Sequence, residues 1–316
     1  MRGKTLLPML SLCATSTAVH AQATSAVSTT PRVTGYLQPR FHAVGDSAAF
    51  LLRRARIAVE GAITPWASYR AQVELRTPGA AAAPPASPLT LSATDLWVRL
   101  SHRRWGGTVG QFKVPFSLES ILSSSVLETT ERSRVVAAAK RDIGAQAEWR
   151  IPDRVALQVA VVSGEGPNRA TNPDNRMAYF ARAVVTAAKV LDVGTAFEGY
   201  SDSTGLGGQA HYRGRRWTAR AEYIRVHNRR TDIHATGWYA LAAYRALPPH
   251  VQIVSRVQQF DPSDQVATDR ATGYLVGVQY FMRSDDFKLI ADYELFREQA
   301  AQLKNNRGVV QMQVRW

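Results

Sequence analysis

Apolar residues recur at every second position through most of this chain, in about sixteen segments of roughly ten residues each. In residues 67–76, Ala67, Tyr69, Ala71, Val73 and Leu75 share one face, while Arg70, Gln72, Glu74 and Arg76 share the other. Residues 141–150 set Ile143, Ala145, Ala147 and Trp149 against Asp142, Gln146, Glu148 and Arg150. The C-terminus repeats the pattern, with Val310, Met312, Val314 and Trp316 on one side. A helix needs apolar spacings of three and four, which these segments lack. Beyond the N-terminus no apolar run reaches the roughly 18 residues of a spanning helix. Strands of about this length cross a bilayer when tilted and closed into a barrel, which leaves mean hydropathy ordinary, here −0.20.

The connections sharpen this reading. Seven are tight, at Thr64–Trp66, His102–Arg104, Ile151–Arg154, Ala188–Val190, Gly214–Arg216, Leu247–Pro249 and Arg283–Asp285. They alternate with longer ones, of which 78–91, 114–140, 164–176 and 261–270 are the longest. Short turns on one rim and long loops on the other belong to outer-membrane barrels. An even strand number puts both termini on the short-turn, periplasmic side. The fold expected is all-β, a transmembrane antiparallel β-barrel of about 16 strands with an aqueous lumen. Aromatic residues near segment ends (Tyr36, Trp66, Trp97, Trp105, Trp149, Trp217, Trp238, Tyr280 and Trp316) suit two interfacial girdles.

Residues 1–23 read as a cleaved signal peptide: Arg2 and Lys4, an apolar stretch from Thr5 to Ala14, then Ala-x-Ala-like sites at Val19-His20-Ala21 or Ala21-Gln22-Ala23. Residues 24–33 are a short linker and 34–316 a single barrel domain. Leu12 before Cys13 argues against lipid attachment. Cleavage takes the net charge from +14 to +12 and removes the only cysteine. The expected location is the outer membrane of a Gram-negative bacterium. The signal and the lipid-like outer face argue against nucleic acid as a partner, despite a pI near 10.3. No Gly-x-Ser-x-Gly, His-x-x-x-His, cysteine pair or phosphate-binding glycine loop occurs. No catalytic residue, metal site or cofactor is therefore expected, and the protein is read as a non-enzyme.

The chain resembles the phosphate-selective porins O and P. The resemblance is carried by Gly35-Tyr36-Leu37-Gln38-Pro39-Arg40-Phe41, by Leu52-Arg53-Arg54-Ala55-Arg56-Ile57 with Glu60-Gly61, and most specifically by Gly110-Gln111-Phe112-Lys113-Val114-Pro115-Phe116-Ser117-Leu118-Glu119. Glu131-Arg132-Ser133 and Arg141-Asp142-Ile143-Gly144 follow, with later echoes at Gly237-Trp238-Tyr239 and Phe260-Asp261-Pro262. The resemblance implies a 16-stranded barrel, usually a homotrimer, that passes phosphate and similar inorganic anions. It also implies that the long third connection, 114–140, folds into the channel.

Alternation assigns faces. Leu37, Phe41, Ala55, Ile57 and Val59 point to lipid, so Gln38, Arg40, His42, Arg54, Arg56 and Glu60 point to the lumen. Lys113 lies inside with Gln111, opposite Phe112. A charge at the lipid midplane costs about 2–4 kcal/mol, which drives these basic residues inward. Arg53, out of phase, is expected at a rim. Arg132, Arg134 and Lys140 of the third connection, with Arg141, then face Arg40, Arg54, Arg56 and Lys113 to form an anion path. Glu60, Glu74, Asp95 and Glu148 offset part of that positive field. The function expected is passive diffusion of small anions, phosphate among them, with lipid and lipopolysaccharide as surroundings. A general or oligosaccharide-type porin, and an outer-membrane barrel enzyme or adhesin, are the alternatives.

Overall fold

A computed structural model of the chain describes residues 29–77, 89–135, 140–300 and 303–316. The signal segment and most of the second long connection lie outside the described residues. The strands are β1 (Arg32–Val44), β2 (Ser47–Thr64), β3 (Ala67–Arg76), β4 (Thr90–His102), β5 (Trp105–Lys113), β6 (Arg141–Ile151), β7 (Val155–Val162) and β8 (Ala178–Ala188). Then come β9 (Leu191–Gly199), β10 (Ser203–Arg213), β11 (Trp217–Asn228), β12 (Ile233–Leu247), β13 (Val251–Asp261), β14 (Ala271–Arg283), β15 (Phe287–Glu298) and β16 (Arg307–Arg315). Each pairs antiparallel with its sequence neighbours, and β1 pairs β16 to close the barrel. Closure leaves no open edge among the described strands, so their backbone groups find partners within the ladder.

The seven tight turns join strands by two or three residues on one rim. The opposite rim carries the 27-residue connection between β5 and β6. It also carries two links as tight as the turns, Gly45-Asp46 and 200–202. Outward residues form an apolar belt that includes Phe50, Ile57, Val109, Val159, Leu206 and Val276, all exposed on the isolated chain. Trp105 and Trp149 sit 6.4 Å apart, and Trp217 and Tyr244 4.6 Å apart, beside the short turns. One aromatic of the expected girdles turns inward instead: Tyr36 is buried beneath Arg56. Trp97 lines the lumen, the side its place in the alternation gives it.

The interior is only partly aqueous. Inward residues of β7, β8 and β11–β14, among them Val162, Phe180, Ile224, Leu241 and Leu275, form a dry cluster with Phe112, Val114 and Phe116. Phe112 therefore does not face lipid. Gly110, two residues before it, has φ +119°, and a Cβ there would lie 2.2 Å from the Leu96 carbonyl oxygen. That twist, open only to glycine, ends strict alternation in β5.

A loop-seated arginine cavity

The described part of the third connection, residues 114–135, crosses the barrel interior, held largely by side chains of distant strands. Phe116 and Val114 enter the dry cluster, and Ser117, at φ +66°, caps the short helix α1 (Leu118–Ile121). The Glu222 carboxylate of β11 accepts from the backbone N–H groups of Leu118 at 2.6 Å and Glu119 at 3.0 Å, and from Tyr239 Oη at 2.7 Å. Lys113 Nζ donates to the carbonyls of Ile121 and Leu122, both at 2.8 Å. Arg132 reaches back to the Glu119 and Leu122 carbonyls at 2.8 and 2.7 Å.

Beyond α1 the backbone meets β1 and β13–β16. Gln313 donates to the Ser125 carbonyl at 2.9 Å, and Gln279 and Lys288 donate to that of Leu127 at 3.1 and 3.3 Å. The Thr130 N–H donates to Asp292 at 2.6 Å, and Ser133 Oγ to Gln258 at 2.6 Å. Backbone polar groups taken out of water need such partners, so polar side chains on the inner wall match the loop. The loop thus fills the side of the barrel lined by β11–β16. The open space is left mainly against β2–β6, with Phe296 of β15 and Arg307 of β16 also on its wall.

At the loop's turn toward β2 the Glu131 carboxylate meets three guanidinium groups. Oε1 accepts from Arg40 Nη1 at 2.7 Å and Arg53 Nε at 2.6 Å. Oε2 accepts from Arg53 Nη2 at 3.2 Å and Arg54 Nη2 at 3.3 Å. Burial pushes this carboxyl up, but Arg53, Arg54 and Arg40 together outweigh it and hold Glu131 well below the usual carboxylate range. Arg132 is pushed down to about 10, by burial first and then by Arg54 and Arg56, and remains charged at neutral pH.

Arg53 corrects the sequence reading. It faces the lumen rather than a rim. The β1–β2 pairing slips between Gln38 and Pro39, which face Arg54 and Leu52, so Arg53 is the extra residue of a bulge. Neighbours 53 and 54 therefore both point inward. Pro39, which has no N–H for the ladder, was the available signal.

A cavity of about 600 Å3 lies on the long-loop side and a smaller one of about 320 Å3 on the other. Arg56 and Arg141 line both and stand at the waist between them. Of the residues picked from sequence, Arg54, Arg132 and Arg134 line the larger cavity and Lys113 the smaller. Arg40 lies behind Glu131 with its side chain fully buried. Lys140 lines neither cavity, because it pairs with Glu198 at 2.6 Å beside Phe116 and Tyr200. Arg76 and Arg307 line the larger cavity and were not singled out from sequence.

The lumenal carboxylates face inward as expected, each beside an arginine: Glu74 with Arg56, Glu60 with Arg70, Asp95 with Arg141 at 2.7 Å and Glu148 with Arg99 at 3.0 Å. Among the described residues neither Lys113 nor Arg132 makes an ion pair, since both donate to carbonyls. Asp142 accepts the N–H groups of Gly164 and Gly166 at 3.0 and 3.1 Å. That contact folds the following loop over the larger cavity, where Pro167 and Asn168 join its lining.

A family model described as phosphate-selective porin O and P matches residues 35–210 and 189–316. No curated protein matches the sequence. Among solved structures, the outer membrane channel DcaP of Acinetobacter baumannii superposes with a TM-score of 0.68 at 11% identity, over 92% of this chain and 100% of that one. The trimer form of OmpT, an outer membrane protein of Vibrio cholerae, gives 0.63 at 10% identity, over 91% and 99%. A mutant of the Rh. blastica porin gives 0.62 at 13% identity, over 91% and 100%. At such identities the likeness speaks for the fold.

Proposed function

The chain belongs to the phosphate-selective porin O and P family, and on that premise we propose that this outer-membrane porin is an anion-preferring pore open to phosphate and similar small anions. The observation that carries this reading is the lining of the larger cavity, where eight arginines stand against two carboxylates, Glu74 and Glu131. An anion entering from the long-loop rim meets Arg76, Arg134 and Arg307 first, then passes the waist at Arg56 and Arg141 toward Lys113. Such a wall raises the local anion concentration and repels cations. Guanidinium groups replace part of a phosphate's hydration through planar two-point contacts. Their own carboxylate and carbonyl partners keep each contact weak enough for release. Transport is passive and uses no cofactor.

We assign the protein to the outer membrane after signal cleavage, as a homotrimer like the trimer form of OmpT, with lipid on its apolar belt and lipopolysaccharide at its basic loop rim. Single-channel recording in a planar bilayer under a KCl gradient tests the pore reading. The expected result is a reversal potential favouring chloride and a current reduced by added phosphate. A cation-leaning or non-selective channel indifferent to phosphate overturns it.

A further inference from the structure

We propose that the cradle formed by Arg40, Arg53 and Arg54 is an oxyanion-binding site of the pore that the loop's own Glu131 carboxylate occupies, so that Glu131 acts as a tethered competitor of the permeating ion. The inference rests on the anion-pore reading and adds to it what sets affinity. Three guanidinium groups converge on one carboxylate, leaving two positive charges uncompensated. Arg53 presents Nε and Nη2 to the two oxygens in the fork that recognises carboxylate, phosphate or sulfate. A bulge opposite Pro39 is what turns that fork inward next to Arg54. Arg53, Arg54 and Glu131 all line the larger cavity, so the cradle adjoins the ion path.

A tethered carboxylate is always at high effective concentration, and a free oxyanion must displace it. Ions therefore pass the cradle without being trapped. Chloride, a single centre, cannot fill both arms of the fork. Occupancy is thus a matter of oxyanions specifically.

The test is phosphate and sulfate block of chloride current through reconstituted full-length protein, wild type against Glu131→Gln and Glu131→Asp. Folding is checked first by heat-modifiable migration on gels. Emptying the cradle lowers the half-blocking phosphate concentration by about tenfold or more, the change that 1.4 kcal/mol of binding produces. Glu131→Asp keeps the charge but withdraws it from the fork, and gives a smaller shift in the same direction. Adding Arg53→Gln to Glu131→Gln abolishes the gain. Unchanged block in either folded variant overturns the proposal. So does a rise in conductance for cations and anions alike without tighter block, which reports only a loosened loop. A wild-type channel without anion preference sinks the pore reading, whereas tighter oxyanion block in Glu131→Gln still supports the cradle.

Discussion

Lys113 shows how a residue can be placed correctly by pattern and still owe its role to contacts that pattern does not reveal. Alternation puts it in the lumen, and there it lines the smaller cavity. Its ammonium is also a clamp on α1, because it donates to the carbonyls of Ile121, the last residue of that turn, and Leu122, its C-cap. Hydrogen bonds from a charged donor contribute about 1.5–3 kcal/mol; without the ammonium the Leu122 carbonyl keeps its bond from Arg132, and that of Ile121 loses this donor. Lys113→Ala is expected to lower anion preference and, through a loosened α1, to raise open-channel noise, while the sixteen-strand ladder still closes. Reversal potential and current noise on one preparation check both effects. An unchanged reversal potential removes Lys113 from the ion path. Arg53 is the opposite case, because alternation misplaced it. Period two holds only while the ladder is regular, and one inserted residue reverses the phase.

At the scale of the element, the third connection was legible in its length and position, and in little else. A 27-residue segment between strands asks for a functional reason. The seats of that segment were not legible. They are side chains such as Glu222, Gln258, Asp292 and Gln313, more than 100 residues away in sequence, which local pattern reads only as inward-facing polar positions. The dry cluster was hidden for the same reason, since inward Phe180 and Leu241 look like breaks in a polar face until the loop's Val114 and Phe116 join them in one cluster.

Glu131 gives this element a pH signature. Its folded pKa is depressed well below the ordinary glutamate value of 4.5. Its contribution to loop seating is therefore fully present above about 4.5, and is lost only as pH falls through the lower folded value. The part of conductance and noise that Glu131 governs should stay flat from pH 8 down to about pH 5 and change only in stronger acid. Glu131→Gln should remove that acid transition. A transition near neutral pH that persists in the variant would show that another group governs the loop.

For the whole molecule, what the chain must achieve is closure, and the alternating pattern, the turn asymmetry and the even strand count together left few other solutions. The seam itself lies between the first and last strands, nearly the full chain apart. Gly35 and Trp316 exchange backbone hydrogen bonds there, each at 3.1 Å. A Cβ on Gly35 would lie 2.4 Å from the Arg56 carbonyl oxygen and 2.6 Å from the Trp316 ring, so the two strands approach this closely only because residue 35 has no side chain. Relief by moving Trp316 alone is not enough, because the Arg56 contact is backbone in the adjacent ladder. Gly35→Val must then open the seam on one side or shift β1 against β2. A shift of β1 by one residue would turn Gln38, Arg40 and His42 outward into lipid. The expected result is a chain that is exported but fails to form a heat-modifiable barrel. Gly35→Ala should retain some of it, since a single methyl asks for a smaller displacement. Wild-type yields of folded Gly35→Val in a membrane-assembly assay would mean that closure does not depend on this contact, and that the seam is set by the β1–β16 ladder further up the strands, from Arg40 to Val44.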